Sequence, residues 1–174
     1  RNASQDLIQA LGAVLPELRE KAVAYLNTDS VTRGFLQAAG SHSLERLVNE
    51  VGRSVLDPEH AVPVLERTRA AGIANGDDKA RERLRAKSDL RIGALGSGSD
   101  FTPFLQHVGI ASLNVDFGGE EQYGQYHSIY DSIAHYTRFV DPDFAYGVAL
   151  AQVAGRAVLR LANADTLPFS LSTL

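Results

Sequence analysis

Three polar segments of the chain carry residue types that bind metals or ligands, and they lie far apart in the sequence. Asp29 follows the apolar run 22–27, a Gly-Ser-Gly-Ser-Asp turn occupies 96–100, and His127 lies in a loop rich in tyrosine. Carboxylate oxygen and imidazole nitrogen are both common zinc ligands. Glycines and serines in a turn let backbone and hydroxyl donors approach a ligand closely. The residue types therefore predict a ligand site that the fold assembles from these three segments.

Each of these residues also has a plainer interpretation. An Asp after a strand more often forms a turn or caps a helix than binds a metal, and a single His in a loop is more often a surface residue. As a ligand, His127 could have its ring oriented by Asp131. The remaining histidines show no ligand-type spacing to one another: His42, His60, His107 and His135. Asp29 and His127 are thus the two candidate metal ligands.

The turn at 96–100 also has two interpretations. It lacks the lysine and the spacing of a Walker phosphate loop, and it does not fit the dinucleotide-binding pattern. We interpret it as a loop whose backbone approaches a ligand closely, with donors on Ser97, Gly98 and Ser99, although a plain capped strand-to-helix turn fits equally well. A serine-hydrolase triad of Ser97, His127 and an Asp is disfavoured because the chain has no Gly-x-Ser-x-Gly elbow.

Composition narrows the classes of function. The net charge of -4 gives no basic footprint for nucleic acid, and no apolar run approaches the roughly 18 residues that a membrane-spanning helix needs. The chain has no cysteine, which excludes disulfides and thiolate metal sites, so any metal must be held by His, Asp or Glu. Hydrophobic residues make up 44% of residues 1–174, enough for a single domain with a full core.

The segments around these residues predict alternating strands and helices. Strands are predicted at 22–27, 91–95 and 110–117, and helices at 6–22 (with a break or kink at Pro16), 41–55, 101–108, 131–136 and 141–161. Asp141 is the predicted N-cap of the last helix. The charged stretch 57–90 is predicted to be an irregular surface excursion, in which 81–87 is either a solvated helix or part of the excursion. This alternation predicts an α/β layered domain. Ligands in such folds bind beyond the carboxyl ends of strands, where the candidate residues lie.

Six short motifs occur in a fixed order along the chain. They are Ala-Tyr-Leu-Asn-Thr-Asp-Ser at 24–30, Leu-Gly-Ser-Gly-Ser-Asp-Phe at 95–101, Val-Gly-Ile-Ala-Ser at 108–112, Tyr-His-Ser-Ile-Tyr-Asp at 126–131, Val-Asp-Pro-Asp-Phe at 140–144, and Leu-Ala-Asn to Leu-Pro-Phe between 161 and 169. In this order they resemble the M28 zinc peptidases, in the branch of glutamate carboxypeptidase II and the transferrin receptors. The resemblance covers nearly the whole chain. It implies a partial zinc-exopeptidase-like fold, with a central, mostly parallel or mixed sheet flanked by helices.

The resemblance also implies a co-catalytic site, in which two zinc ions are bridged by a carboxylate and a water. Asp29 matches a ligand of one zinc, and His127 matches a ligand of the other. Tyr126 matches a residue that lines the substrate site, and the turn at 97–99 matches the loop beside the backbone of the peptide substrate. Two such ions activate the bridging water and polarise the scissile carbonyl, while a glutamate acts as general base. The implied activity is that of an amino- or carboxypeptidase.

The chain departs from this pattern in two places. In the family, the first His ligand, the bridging Asp, the general-base Glu and a neighbouring Glu ligand all precede the strand that ends at Asp29. Here residues 1–20 contain no His and no Glu-Glu pair. We therefore expect no general base in this chain, and expect it to be the C-terminal portion of a catalytic domain, inactive and weakly zinc-binding when isolated. Asn114 and Asp116 replace the arginines that glutamate-preferring members carry after the Gly-Ile-Ala-Ser strand.

Two other hypotheses stay open. A non-catalytic relative, like the transferrin receptors, would use the same fold as an ectodomain for binding or dimerisation, although such drift should have lost Asp29 and His127. A plain α/β interaction domain would match the six motifs by coincidence. The resemblance further implies a homodimer formed by a helical domain after Phe169 and a periplasmic or secreted location. Arginine outnumbers lysine fourteen to three, which is typical of a GC-rich bacterial genome.

Overall fold

A three-stranded sheet is the centre of the fold. The computed structural model describes residues 3–170, and its strands are β1 (Ala24–Asn27), β2 (Gly34–Gly40) and β3 (Ala111–Gly119). β3 lies in the middle, parallel to β1 and antiparallel to β2. The carboxyl ends of β1 and β3 and the amino end of β2 therefore meet at one edge of the sheet, which we call the site edge.

The alternation of side chains along β3 decides which of its residues face the core. Leu113, Val115 and Phe117 are buried, whereas Asn114 and Asp116 are only partly buried. Because successive side chains of a strand point to opposite faces, the two polar residues lie together on the face away from the three apolar ones. The residues that β3 contributes to the candidate site therefore come from this polar face.

Helices surround the sheet. Among residues 3–170 they are α1 (Ala3–Lys21), α2 (Glu45–Ser54), α3 (Val64–Asn75), α4 (Asp78–Ala86), the short α5 (Ile133–His135) and α6 (Ala145–Ala162), with π-helical turns at Pro103–Val108 and Tyr136–Val140. α2 and α6 pack against each other and contribute to the core beside the apolar face of β3. In this core the ring of Tyr146 meets that of Phe117 edge-on, with centroids 5.8 Å apart. The predicted α/β class, with a mixed sheet flanked by helices, is thus confirmed. Of the helices in the described part of the chain, none is long and apolar enough to cross a membrane.

Two strand predictions need correction. The sequence predicts no strand at 34–40, yet β2 forms there. Its sequence, Gly-Phe-Leu-Gln-Ala-Ala-Gly, holds no β-branched residue, so its pairing with β3 rather than its propensity makes it a strand. The strand predicted at 91–95 is wrong, because only Gly93 forms an isolated bridge there, with Ala39.

The charged stretch 57–90 is more helical than the sequence predicts, since helix was expected there only at 81–87, as one of two alternatives. It contains α3 and α4, and Asp77 caps α4 by accepting a hydrogen bond from the N–H of Ala80 at 2.7 Å. α3 packs against β2, and its residues Val64 and Leu65 are buried. Burial of these apolar side chains stabilises α3, which has three charged residues among its twelve.

The long C-terminal helix begins later than predicted. α6 has Phe144 as its N-cap, so the prediction of Asp141 as N-cap is wrong. The Asp141 carboxylate instead accepts hydrogen bonds from the N–H of Gly147 at 2.9 Å and from the hydroxyl of Tyr136 at 3.2 Å. It therefore still satisfies one free N–H group in the first turn of the helix, from a position further upstream.

The remaining helices follow the prediction more closely. α1 is continuous through Pro16, so of the predicted break or kink the break does not occur. α2 begins at Glu45, after a short 3-10 turn at His42–Leu44. The helical segment that starts at Phe101 ends at Gly109, as predicted. The φ of Gly109 is 82°, a value that glycine adopts without strain.

Candidate active site

The polar face of the site edge carries a connected set of hydrogen bonds, which we call the polar relay. Its members are Tyr25, Asn27, Asp29, Ser99, Asn114 and Asp116. Asn27 and Asn114 are partners in the register of two parallel strands, so their side chains lie side by side on one face. Asn27 is buried and Asp29 is exposed. The relay therefore leads from the interior to the surface at the site edge.

The side chains of the relay are linked one after another by hydrogen bonds. Asn27 Nδ2 donates to Asn114 Oδ1 at 2.6 Å and to Ser99 Oγ at 3.3 Å. Asn114 Nδ2 donates to Asp116 Oδ2 at 2.6 Å. The hydroxyl of Tyr25 donates to Asn27 Oδ1 at 3.2 Å. The buried amide of Asn27 is thus fully paired, as interior polar groups must be.

Asp29 is held through both its backbone and its side chain. Its N–H and that of Ser30 donate to Asp116 Oδ1 at 3.0 and 2.9 Å. Its Oδ1 accepts a hydrogen bond from Ser99 Oγ at 2.9 Å. Among the described residues, none donates a hydrogen bond to Asp29 Oδ2. One carboxylate oxygen is therefore fixed, and the other is open to a ligand.

The glycine-rich turn places Ser99 beside Asp29. Gly98 has a φ of 110°, which other residues rarely adopt. Its N–H donates to Thr102 Oγ1 at 3.2 Å, and the N–H of Thr102 donates to the carbonyl oxygen of Ser99 at 3.0 Å. Ser97 and Gly98 are exposed, and Ser99 is half-buried. The turn thus closes on itself and directs the Ser99 hydroxyl toward the end of β1.

The electrostatic environment of the relay is negative. Tyr25 stacks on Phe104, with ring centroids 3.9 Å apart. Burial, followed by the nearby carboxylates of Asp100 and Asp29, raises the pKa of Tyr25 above its usual value. Within the described part of the chain, neither these two carboxylates nor that of Asp116 forms an ion pair. A cation at this edge would therefore be attracted.

His127 lies in the loop 120–132, between β3 and α5. Its side chain is exposed, and its φ is 57°. The imidazole stacks on the ring of Tyr126, with centroids 3.7 Å apart and planes 22° apart, and Tyr126 is itself 75% exposed. A backbone hydrogen bond from Ser128 N–H to the Gln125 carbonyl closes the turn around it at 3.0 Å. The loop thus holds His127 through neighbours in sequence.

Asp29 and His127 do not by themselves form a metal centre. Within residues 3–170, no group of three or more His, Asp or Glu side chains is placed to hold an ion, and no hydrogen bond or ring contact joins the two candidates. The predicted orientation of the imidazole by Asp131 is also not seen there, since Asp131 bonds through its N–H to the carbonyl of Ser128. A structural zinc site has four ligands, and a catalytic one has three from the protein. Asp29 and His127 alone are therefore too few to complete either kind of zinc site.

A buried charged cluster beside the site edge involves residues that sequence reasoning missed. Arg67 of α3 donates to Asp57 Oδ2 at 2.7 Å, to the carbonyl of Gly34 at 3.1 Å and to the hydroxyl of Tyr146 at 2.5 Å. It also donates to Glu120 Oε1 at 3.0 Å, where the loop that carries His127 begins. No sequence signal marks Arg67, because it stands in a stretch full of exposed charges and only the fold buries it.

The cluster strongly perturbs its titrating groups. Burial raises the pKa of Asp57, but hydrogen bonds from Arg67 and His60 outweigh it and hold that pKa below its usual value. Burial, together with the hydrogen bond to Glu59, raises the pKa of Tyr146 to about 12. Asp57 is therefore a carboxylate, and Tyr146 a neutral phenol, at neutral pH.

Comparison with known proteins finds sequences similar to this chain among proteins that are named as peptidases. No model of a known protein family matches the chain. The chain is 33% identical over 157 residues to a probable glutamate carboxypeptidase of Arabidopsis thaliana and 36% identical over 156 residues to one of Zea mays. It is 27% identical over 170 residues to the aminopeptidase NAALADL1 of Mus musculus. The chain is thus similar to part of several proteins that are named as peptidases.

The relationship extends along nearly the whole chain but reaches only part of each relative. The three alignments cover 89–91% of this chain and 20–22% of the other proteins. The chain therefore spans about a fifth of the length of the curated relatives that it matches. The names of the relatives include both carboxypeptidases and an aminopeptidase, so the similarity does not separate these two activities.

Proposed function

We propose that this chain supplies part of the catalytic domain of a co-catalytic dizinc exopeptidase. In this proposal, Asp29 is a ligand of one zinc and His127 is a ligand of the other. When bound, the two ions supply an activated water for attack on the peptide carbonyl. The similarity to proteins named glutamate carboxypeptidase and aminopeptidase supports peptide hydrolysis as the activity of the whole protein.

The placement of Asp29 is the observation that carries this proposal. Asp29 follows the carboxyl end of β1, which is where α/β folds bind their ligands. Ser99 donates a hydrogen bond to one of its oxygens and leaves the other open. A ligand that is oriented by an outer hydrogen-bond partner is typical of metal sites in proteins.

The substrate-contacting residues of the proposal flank Asp29 and His127. A Cβ added at Gly98 would meet nothing within 4 Å, so a peptide can approach the backbone of the turn there. Ser97 and Ser99 offer hydroxyl groups beside this open backbone. The exposed ring of Tyr126 offers an apolar surface to a side chain of the peptide. The peptide would thus lie along the turn with one side chain against the loop.

The proposal treats the isolated chain as an incomplete enzyme. The described residues hold at most two of the ligands that a dizinc site needs, and we assign no general base to them. The missing ligands and the base would come from other parts of the whole protein. We therefore derive no catalytic step from this chain.

Calorimetric titration of zinc chloride into the isolated chain tests this proposal. We expect weak binding that Asp29→Ala and His127→Ala both weaken further, and no hydrolysis of dipeptides. His107→Ala is the matched control, because His107 is exposed but lies outside the candidate site. Tight binding of two ions, or zinc binding that neither substitution affects, would contradict the proposal.

A second test is the coding sequence before Arg1 in the parent gene. The proposal expects a His, an Asp and a Glu-Glu pair to be encoded there. If they are absent, the non-catalytic, receptor-like role becomes the better explanation of the fold.

A further inference from the structure

We propose that Asp116 is the positioning residue of the candidate site: it fixes the backbone of Asp29 and, through the polar relay, sets the direction of the Ser99 hydroxyl toward the Asp29 carboxylate. The inference rests on the proposed function only where it treats Asp29 as a metal ligand. Asp116 lies 87 residues from Asp29 along the chain and is partly buried on the polar face of β3.

The first part of the role is direct. Asp116 Oδ1 accepts the N–H groups of both Asp29 and Ser30, at 3.0 and 2.9 Å. These two N–H groups lie between the end of the ladder that joins β1 to β3 and an isolated bridge from Val31 to Phe117. A carboxylate acceptor makes hydrogen bonds roughly twice as strong as a neutral acceptor does. Asp116 thus holds the backbone at Asp29 in the gap between these two backbone contacts with β3.

The second part of the role follows from the chemistry of donors and acceptors. An ionised carboxylate only accepts hydrogen bonds, whereas an amide has one accepting end and one donating end. Asp116 Oδ2 therefore requires Asn114 to present its NH2 group, at 2.6 Å. The amide oxygen of Asn114 must then face Asn27, which donates to it at 2.6 Å. In this way Asp116 sets the orientation of both amides.

The orientation reaches Asp29 through Ser99. The second hydrogen of Asn27 Nδ2 points to Ser99 Oγ at 3.3 Å, so this oxygen acts as an acceptor there. The single proton of the Ser99 hydroxyl is then free to point at Asp29 Oδ1, 2.9 Å away. Asp29 and Asp116 thus lie at the two ends of one relay, and both are acceptors. This arrangement leaves Asp29 Oδ2 as the oxygen available to a metal ion.

The variant Asp116→Asn tests the relay with almost no change of shape. The introduced carbonyl can still accept the N–H groups of Asp29 and Ser30, but the introduced NH2 group faces the NH2 group of Asn114. We expect both amides of the relay to turn over or lose their bonds. Ser99 would then donate to Asn27 rather than to Asp29. The side-chain NH2 signals of Asn27 and Asn114 in 15N-resolved NMR spectra should therefore shift, while the chain stays folded.

The double variant Asn114→Asp with Asp116→Asn tests polarity separately from structure. It exchanges the two groups and keeps the net charge. The introduced amide can accept the two N–H groups and donate to the introduced carboxylate, which in turn accepts from Asn27. We expect the NH2 signals of Asn27 to return toward their original positions in the double variant. A purely structural role of Asp116 predicts that a second substitution adds to the damage.

Zinc affinity gives the readout that connects the relay to the site. Zinc chloride titrated into the unsubstituted chain should shift the NMR signals of Asp29, and this method measures weak binding. Because loss of an outer partner of a metal ligand typically costs about 10- to 100-fold in affinity, Asp116→Asn should raise the Kd by that factor, and the double variant should restore it. Asp100→Asn removes a nearby negative charge without touching the relay, so it controls for charge alone.

The outcomes separate this inference from the proposed function. Unchanged NH2 signals in Asp116→Asn, or no recovery in the double variant, would overturn the positioning role. An Asp29 signal that never responds to zinc chloride would instead count against Asp29 as a ligand, while the amide signals would still decide the relay. A fall in affinity no larger than that of Asp100→Asn would reduce Asp116 to a source of charge and overturn the inference.

Discussion

The end of β1 and the loop 120–132 each carry one candidate zinc ligand, and they hold it in different ways. Asp29 has hydrogen bonds to Asp116 through its backbone and to Ser99 through its side chain. His127 is exposed, and within residues 3–170 its ring stacks only on the ring of the neighbouring Tyr126. Paired strands bring side chains that are distant in sequence into contact with a ligand residue. A residue in a surface loop mainly contacts its neighbours in sequence. One half of the candidate site is thus preorganised, and the other half is not.

The loop is nevertheless anchored where it leaves the sheet. Glu120 follows the last residue of β3 and accepts a hydrogen bond from the buried Arg67. Arg67 in turn is held by Asp57 and Tyr146. The base of the loop is therefore fixed by a charged cluster, and His127 lies seven positions beyond that anchor. Substitutions in the charged cluster, the relay and the loop should therefore lower the free energy of unfolding by different amounts.

The largest effect is expected from Arg67→Met. The substitution leaves Asp57 buried without its cation, which typically costs about 3–5 kcal/mol in the free energy of unfolding. Urea denaturation followed by circular dichroism measures this loss. Arg85→Met, at an exposed position of α4, should have almost no effect. A loss no larger than that of the Arg85 control would show that the cluster does not anchor the loop.

A smaller loss is expected from Asn27→Ala at the centre of the relay. The substitution leaves the amide oxygen of Asn114 and the hydroxyl of Tyr25 without their partners, at a cost of about 1–3 kcal/mol. The same denaturation experiment measures it, with the exposed neighbour Thr28→Ala as control. Equal stabilities of the two variants would mean that the relay does not hold the end of β1.

The loss of unfolding free energy at acid pH should depend on Asp57. Its pKa is lowered in the folded protein, so its contribution is fully present above the unfolded value of about 4 and is lost as the pH falls through the folded value. Between pH 7 and pH 3, Asp57→Asn should therefore lose less unfolding free energy than the unsubstituted chain does. Asp78→Asn, at a fully exposed carboxylate, should behave like the unsubstituted chain. An unchanged loss at acid pH in Asp57→Asn would contradict the assignment.

The smallest effect is expected from His127→Ala. Its side chain is exposed and has no hydrogen-bond partner among the described residues, so the free energy of unfolding should change by about 0.5 kcal/mol or less. A loss as large as that of Asn27→Ala would show that the imidazole is held as firmly as Asp29 and would remove the contrast between the two halves.

The fold could be predicted where local patterns are strong. β1, β3, α2 and α6 all have apolar residues at the spacing of their element, and each forms close to where the sequence predicts it. β2 and α3 could not be predicted, for different reasons. β2 is rich in glycine and alanine and gains its structure from β3. α3 buries its apolar residues Val64 and Leu65 only at its first turn, so it has no long apolar stripe to mark it in the sequence.

By itself, the sequence determined the class of the fold and the candidate residues Asp29, Ser99 and His127, because residue type and the order of short motifs are local properties. Only the tertiary structure decided that Asp116 supports Asp29 and that Arg67 anchors the loop. Both contacts join residues more than fifty positions apart, and they depend on strand register and helix packing. The type of a residue can be read from the sequence alone, whereas the residues that orient its side chain are known only once the chain is folded.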